Sequence, residues 1–182
     1  IEAIESAIPS AAAKLSREGS DAAAHAIMTT DPVKIEEAVS LSIGGKTVHI
    51  GGISKGSGMI HPNMGTMLCF LTTDCAISKA MVKAALQEAV RVSFNRISVD
   101  GDTSTNDTCV LLANGMADNE EITAQDENYA LFVEALTAVC TKLARQMARD
   151  GEGAKHLITC TVSGARSEQA AETVAKSVIA SS

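Results

Sequence analysis

Apolar and polar positions alternate along this chain in two rhythms, one of period two and one close to 3.6. Across residues 35–43 the apolar positions Ile35, Val39, Leu41 and Ile43 fall on one side of a pleat, which predicts a half-buried strand. Gly44-Gly45 follows as a two-residue turn. Residues 46–53 return through Val48 and Ile50, so the pair predicts a β-hairpin. Short apolar runs at 67–73, 97–99, 109–113 and 156–162 predict further strands. The helical rhythm is clearest at 78–94, where Val82, Ala85, Leu86, Ala89 and Val90 form a stripe and Lys79, Lys83, Gln87 and Arg91 lie elsewhere. It recurs at 126–149 through Phe132, Leu136, Val139, Leu143 and Met147, the longest helix predicted. A last helix at 167–180 would turn Ala170, Val174 and Val178 inward.

The start of the chain reads as helical over 1–17, with Pro9 breaking the helix and a second piece restarting near Ser10. Gly19-Ser20-Asp21 caps a short helix at 22–28. Pro32 prevents its continuation, because the residue before a proline avoids the α region. Strands interleaved with helices imply an α/β fold, a layered mixed sheet with packed helices. The hairpin makes that sheet partly antiparallel.

Composition narrows the function classes. The 182 residues suffice for one domain with a sizeable core. Aromatic residues make up 2% and Trp is absent, so the core must be built from Ala, Val, Ile, Leu and Met. A net charge of -7 argues against a nucleic-acid partner, and one Tyr with three Phe leaves little on which bases could stack. The cysteines Cys69, Cys75, Cys109, Cys140 and Cys160 are scattered, without a C-x-x-C pair, as expected of free thiols in a reducing compartment. No apolar run approaches the roughly 18 residues of a membrane span, and no membrane partner is expected. The chain begins at Ile1 rather than Met, and the expectation is a piece of a longer polypeptide.

Candidate chemistry concentrates around residues 51–68. Gly51-Gly52-Ile53-Ser54-Lys55-Gly56-Ser57-Gly58 looks like a phosphate cradle, but its lysine precedes the glycine where a P-loop needs it to follow. A loop using glycine for positive φ is the favoured reading of that stretch. The acidic run at 100–107 fails as a calcium loop, since Thr105 and Leu111 stand where an EF-hand needs glycine and glutamate. It reads instead as a network of turns, and no metal site is expected. His25, His49, His61 and His156 have no ligand spacing and read as surface residues. Thr66 differs, because it stands where a glycine-rich loop enters an apolar run. Its hydroxyl would be a good nucleophile only beside a base, and its own α-amine is one if the Gly65–Thr66 bond is cut. Gly65 lacks a Cβ and would let the Thr66 hydroxyl approach the preceding carbonyl, the first step of an N-to-O acyl shift. Spacing alone leaves a strand-start threonine as the commoner reading.

The stretch Lys55-Gly-Ser-Gly-Met-Ile-His-Pro-Asn-Met-Gly-Thr-Met-Leu68, with Phe70-Leu-Thr-Thr-Asp74 after it, closely resembles the self-cleaving segment of ornithine acetyltransferases. These are also called glutamate N-acetyltransferases of arginine biosynthesis. Ala26-Ile-Met-Thr-Thr-Asp31, Asp100-Gly-Asp-Thr-Ser-Thr-Asn-Asp-Thr108 and Asp150-Gly-Glu-Gly-Ala-Lys155 agree as well, in the family's order and across essentially the whole chain. The resemblance implies a fold of the N-terminal-nucleophile type and self-cleavage between Gly65 and Thr66. Residues 1–65 would then end an α chain and residues 66–182 would begin a β chain. The family commonly has alanine where Gly65 stands, and cleavage is expected to survive the change. The implied reaction is ping-pong acetyl transfer from N-acetylornithine to glutamate through acetyl-Thr66, in the cytoplasm, or in the mitochondrial matrix if the source is fungal.

Thr29, Lys55, Thr66 and Glu152 match the family's substrate-contacting residues. Lys55 would pair with a substrate α-carboxylate, Glu152 would hold an ammonium, and Thr29 would offer a hydroxyl to the α-amino or carboxylate end. No cofactor is implied, although acetyl-CoA could serve as an alternative donor. The implied partners are the rest of the α and β chains in an α2β2 heterotetramer. The family's oxyanion-stabilising threonine-glycine pair would lie before Ile1, and its closing asparagine and hydroxyl residue beyond Ser182. This stretch alone is therefore expected to be inactive, since losing one oxyanion donor costs roughly 10²–10³ in rate. The rival readings are a related self-processing amidase or aminopeptidase, and a phosphate-binding or assembly domain in which Thr66 is structural.

Overall fold

The computed structural model describes residues 1–60, 67–102, 104 and 106–181. Its centre is a four-stranded sheet of β1 (Ile35–Ile43), β2 (Lys46–Lys55), β3 (Leu68–Thr73) and β4 (Thr108–Ala113), in that spatial order. β1, β2 and β3 pair antiparallel, and β4 joins β3 in parallel. The hairpin is the expected one: Gly44 and Gly45 have φ of 55° and 77°, both in the left-handed region that a tight turn between twisted strands requires. The parallel pair needs a crossover, and α3 (Lys79–Val92) lies within it.

One face of the sheet is buried. Ile35, Ile43, Val48, Ile50, Cys69 and Leu71 point into a core shared with α4 (Glu127–Arg149), whose Phe132, Leu136, Val139, Leu143 and Met147 are buried as the periodicity predicts. α4 lies across β1 and β2 and packs against α3. Both helices start on side-chain caps: Met81 N–H donates to Ser78 Oγ at 3.4 Å, and Tyr129 N–H to Asp126 Oδ1 at 2.9 Å. The opposite face is open, with Phe70 39% and Leu112 63% exposed.

Four expectations are corrected. Pro9 does not break the first helix, and α1 (Glu2–Ala13) runs through it. Proline removes one i→i−4 bond there, and the alanines that follow, the best helix formers, carry the turn onward. Residues 97–99 form no strand: a 3₁₀ turn at Phe94–Arg96 precedes them, and Val99 N–H makes a single bond to the Ile60 carbonyl, 2.7 Å. Residues 156–162 join no sheet either, because apolar content does not itself supply a neighbouring ladder; Ile158 is 78% exposed. α5 (Glu168–Ile179) forms as expected but buries nothing, with Val174 and Val178 half exposed rather than inward. α2 (Ser20–Ala26) is the short helix read from the sequence.

The strands before and after residues 61–66 share one sheet. β2 pairs β3 over six positions, from Ile50↔Thr73 to Lys55↔Leu68. Gly65 and Thr66 lie outside the described residues.

Candidate functional site

β2 is two residues longer than its apolar pattern suggested, and this places Lys55 on the strand's last position rather than in a loop. The glycines before it do not supply positive φ. Gly51 and Gly52 are strand residues, and a Cβ on Gly52 would meet Leu71 Cδ2 at 2.5 Å and Leu143 Cδ1 at 3.2 Å. A Cβ on Gly56 would meet Ile60 Cδ1 at 2.8 Å and Met147 Sδ at 2.9 Å. Glycine is needed here for close approach to the core, which pulls the end of β2 against α4.

Lys55 is 8% exposed and its Nζ donates to Thr29 Oγ1 at 3.3 Å. Thr29 is brought there by Asp31, a residue also 8% exposed. Asp31 Oδ2 accepts from Thr29 N–H at 2.9 Å and from the Thr29 hydroxyl at 3.4 Å, and Oδ1 accepts from Gly56 N–H at 2.7 Å. One carboxylate thus ties the segment after α2 to the end of β2. The Asp31-Pro32 pair favours this geometry, since proline keeps Asp31 extended and an aspartate readily bonds backbone nearby.

Glu152 arrives from the other side, three residues past the end of α4. Its N–H donates to the Ser57 carbonyl at 2.7 Å, and Gly151 allows Val99 to press close, where a Cβ would lie 2.6 Å from Val99 Cγ1. Glu152 Oε2 would be 3.1 Å from a Cβ on Gly58, and Asp100 Oδ2 3.6 Å from the same point, so two carboxylates flank Gly58. Asp100 also accepts from Met59 N–H at 2.5 Å and from Ile60 N–H at 3.0 Å. Together these groups enclose a cleft of about 310 Å³ with Lys55 and Thr29 on one wall and Glu152 and Asp100 on another. Ser57 lines it too, its buried hydroxyl unpartnered among the described residues. A cleft carrying one ammonium and two carboxylates matches a ligand that bears both a carboxylate and an ammonium.

A larger concavity of about 580 Å³ lies along β1, β2 and β3 near His49, Asp74 and Asn114. Its charged groups are already committed to each other. His49 Nδ1 meets Asp74 Oδ2 at 2.7 Å and His49 N–H donates to Asp74 Oδ1 at 2.7 Å. Burial alone would push the Asp74 pKa up, but the His49 backbone and ring bring it below the usual carboxylate range. The smaller cleft, with its opposed charges, is the better ligand site.

Thr29, Lys55 and Glu152, all named from the sequence, therefore meet at one cleft, while Thr66 and Gly65 are outside the described residues. Asp31 and Asp100 were not singled out, although both stand in the stretches quoted for the family resemblance. The 100–107 run is a turn network in part: Asp102 N–H donates to Asp100 Oδ1 at 3.1 Å, and Ser104 Oγ to Asn106 Oδ1 at 2.7 Å. It also reaches across the chain. Asp107 Oδ1 accepts from Met67 N–H at 2.9 Å, and burial pushes the Asp107 pKa up against the pull of that bond.

The family model described as the ArgJ family matches residues 1–182. The arginine biosynthesis bifunctional protein ArgJ of Symbiobacterium thermophilum is 51% identical over 181 residues, covering 100% of this chain and 45% of its own length. The protein of the same description from Bacillus licheniformis is 52% identical over 156 residues, 86% of this chain and 38% of its own. A crystal structure of the arginine biosynthesis bifunctional protein argJ from Bacillus halodurans superposes with a TM-score of 0.57 at 46% identity, over 60% of this chain and 51% of that one. The chain spans less than half the length of these curated relatives.

Proposed function

Because this chain belongs to the ArgJ family, we propose that it carries the cleavage point and part of the substrate cleft of an acetyltransferase that moves an acetyl group from N-acetylornithine to glutamate. The observation that carries the reading is the meeting of Lys55, Thr29 and Glu152 in one cleft, with the Lys55 ammonium hydrogen-bonded to Thr29 at 3.3 Å. Lys55 receives the substrate α-carboxylate and Glu152 a substrate ammonium. The relatives' shared description, arginine biosynthesis bifunctional protein, supports the same pathway.

Thr66 supplies the chemistry in this reading. Its hydroxyl attacks the Gly65 carbonyl, the peptide C–N bond breaks as an ester forms, and water hydrolyses that ester. Thr66 is left with a free α-amine, whose ordinary pKa of about 7.7–8.0 suits it to take a proton near neutrality. The Thr66 hydroxyl then attacks the acetyl carbon of N-acetylornithine, its proton passing through the α-amine to the departing amine of ornithine. Attack by the amino group of glutamate on the ester returns free Thr66 and releases N-acetylglutamate. No cofactor enters these steps.

Residues 1–65 then belong to the end of one chain and residues 66–182 to the start of the next, held together by the β2–β3 pairing, whose register spans the cut. The exposed apolar residues Ile4 and Ile8 on α1, Phe70 and Leu112 on the open sheet face, and Val174 and Val178 on α5 are surfaces for the remaining length of the relatives and for a second αβ pair, in an α2β2 assembly. Acetyl-CoA as a second acetyl donor is favoured by the word bifunctional in the relatives' description. A cytoplasmic enzyme is consistent with helices too short or too polar to cross a membrane among the described residues.

Intact-mass measurement of the full-length protein tests the proposal. Two chains, the second starting at Thr66, support it; an uncut chain sinks it. Thr66→Ala should stay uncut and take no acetyl group. With labelled N-acetylornithine, label in N-acetylglutamate supports a transferase, and label in free acetate supports an amidase instead.

A further inference from the structure

We propose that Asp31 fixes the hydroxyl of Thr29 so that Thr29 accepts a hydrogen bond from a substrate N–H and cannot donate one. The inference rests on the acetyl-transfer reading above and specifies how one wall of that cleft reads its substrate.

The argument is one of donor and acceptor capacity. A hydroxyl has one proton to give and two lone pairs to offer. The Asp31 carboxylate can only accept, and its Oδ2 lies 3.4 Å from Thr29 Oγ1, so the threonine proton points at Asp31. The Lys55 ammonium can only donate, and its Nζ lies 3.3 Å from the same oxygen, so one lone pair of Thr29 is occupied. One lone pair and no proton remain for the cleft. A threonine on its own would serve a carboxylate or an amine equally well; in this network it serves an N–H.

The order Lys55 to Thr29 to Asp31 is held rigidly. Asp31 is buried, and its other bonds, to Thr29 N–H at 2.9 Å and Gly56 N–H at 2.7 Å, lock both the threonine backbone and the residue after Lys55. A bound α-amino acid would place its carboxylate at Lys55 and the N–H on its α-carbon at the adjacent Thr29 oxygen. An amide N–H of an N-acylated amino acid and the amino group of a free one both satisfy that demand. The same pair of side chains therefore accommodates the acylated donor and the free acceptor. A substrate whose α-nitrogen is replaced by an ester oxygen offers no proton and leaves the lone pair unmatched.

The test uses the full-length protein and two acetyl donors, N-acetylornithine and 2-acetoxy-5-aminopentanoate, with glutamate as acceptor. In Asp31→Asn the single remaining oxygen keeps the shortest bond, that from the buried Gly56 N–H, so the new NH₂ faces Thr29, displaces the Thr29 N–H contact, donates to Thr29 Oγ1 and turns the threonine proton into the cleft. The ratio of kcat/KM for the amide over the ester should then fall about tenfold relative to the unmodified protein, the scale of one exchanged hydrogen bond. Thr29→Val should produce the same fall, and adding Asp31→Asn to it should change the ratio little further, since both act through one hydroxyl. Thr29→Ser should keep the original ratio. If Asp31→Asn does not fold or is not cleaved, Thr29→Val and Thr29→Ser carry the test. An active protein whose amide preference survives Asp31→Asn, or survives Thr29→Val, overturns the proposal. An unmodified protein that transfers acetyl from neither donor overturns instead the functional reading on which it rests.

Discussion

Met59 is held at φ 53°, in the left-handed region, with its N–H donated to the carboxylate of Asp100 at 2.5 Å. A non-glycine residue in that region costs about 1–2 kcal/mol, so Asp100 is what keeps the wall of the cleft in place. Asp100→Ala removes the acceptor of three N–H groups, those of Met59, Ile60 and Asp102, and should lower stability to denaturant by about 1–2 kcal/mol in all, since Asp100 is exposed and water replaces part of each bond. If the acetyl-transfer proposal holds, the same variant of the full-length protein should raise KM for the acetyl donor. Adding Met59→Gly removes the backbone strain and should restore roughly that amount. A double variant no more stable than Asp100→Ala would show that the strain is not what Asp100 offsets.

Gly52 makes a second prediction. A methyl group there would sit 2.5 Å from Leu71 Cδ2, 3.2 Å from Leu143 Cδ1 and 3.4 Å from the Phe70 carbonyl. Leu71 and Leu143 are fully buried, so they cannot swing into solvent to make room. Gly52→Ala should destabilise by about 1–3 kcal/mol through overpacking, although alanine is otherwise the better strand residue. Thermal melting checks it. Gly51→Ala, where a Cβ would meet Ala38 Cβ at an ordinary 3.7 Å, is the control and should be near neutral.

The contrast between Gly52 and Gly44 marks what the amino-acid sequence could and could not convey. Gly44-Gly45 between two apolar alternations names a hairpin outright, because the turn is local. Gly52 reads from the sequence as part of a glycine-rich loop, because its reason for lacking a side chain is Leu71 and Leu143, both distant along the chain. The stripes of α3 and α4 were legible for the same local reason, and each buried the side predicted. In α5 and in residues 156–162 the pattern was also present, but periodicity says nothing about what covers a face. Thr29, Lys55 and Glu152 were found through the family resemblance rather than through spacing. Asp31 and Asp100 act across 25 and 41 residues of sequence, a separation at which a lone aspartate carries no readable signal.

The cysteines should be inert in proportion to their burial. Burial pushes the Cys75 thiol up to about 11 and the Cys140 thiol up to about 12, and the neighbouring Cys109 thiol together with burial pushes Cys69 up as well. The thiolate is the reactive form, so none of the three should alkylate at pH 8 in the folded protein. Cys160, half-buried on the unpaired 156–162 segment, should react first. Mass mapping after a short treatment with iodoacetamide decides this. Early labelling of Cys140 would mean that α4 opens far more readily than its packing implies.

α5 is joined to the body by charge, and that makes its attachment depend on pH. Arg96 Nη2 meets Glu168 Oε1 at 2.7 Å and Glu172 Oε2 at 3.9 Å, and Arg91 Nη1 meets Glu168 Oε1 at 3.3 Å. Hydrogen bonds from Arg96 and Arg91 hold Glu168 below its ordinary pKa, and Lys176 with the same arginines does so for Glu172. A carboxylate depressed in the folded state stabilises it above the ordinary glutamate range. That contribution disappears as pH falls through the depressed value. α5 should therefore loosen on acidification below about pH 4, the ordinary range of a glutamate. Salt should loosen it at neutral pH, since these pairs are exposed and screened within a Debye length of about 10 Å at 0.1 M. Hydrogen exchange of the α5 amides at two ionic strengths reads the effect, with the α4 amides unchanged as the internal reference. Glu168→Gln should accelerate α5 exchange at neutral pH and remove most of its salt dependence. If α5 exchange is equally slow in both salts and in the variant, its attachment is not electrostatic.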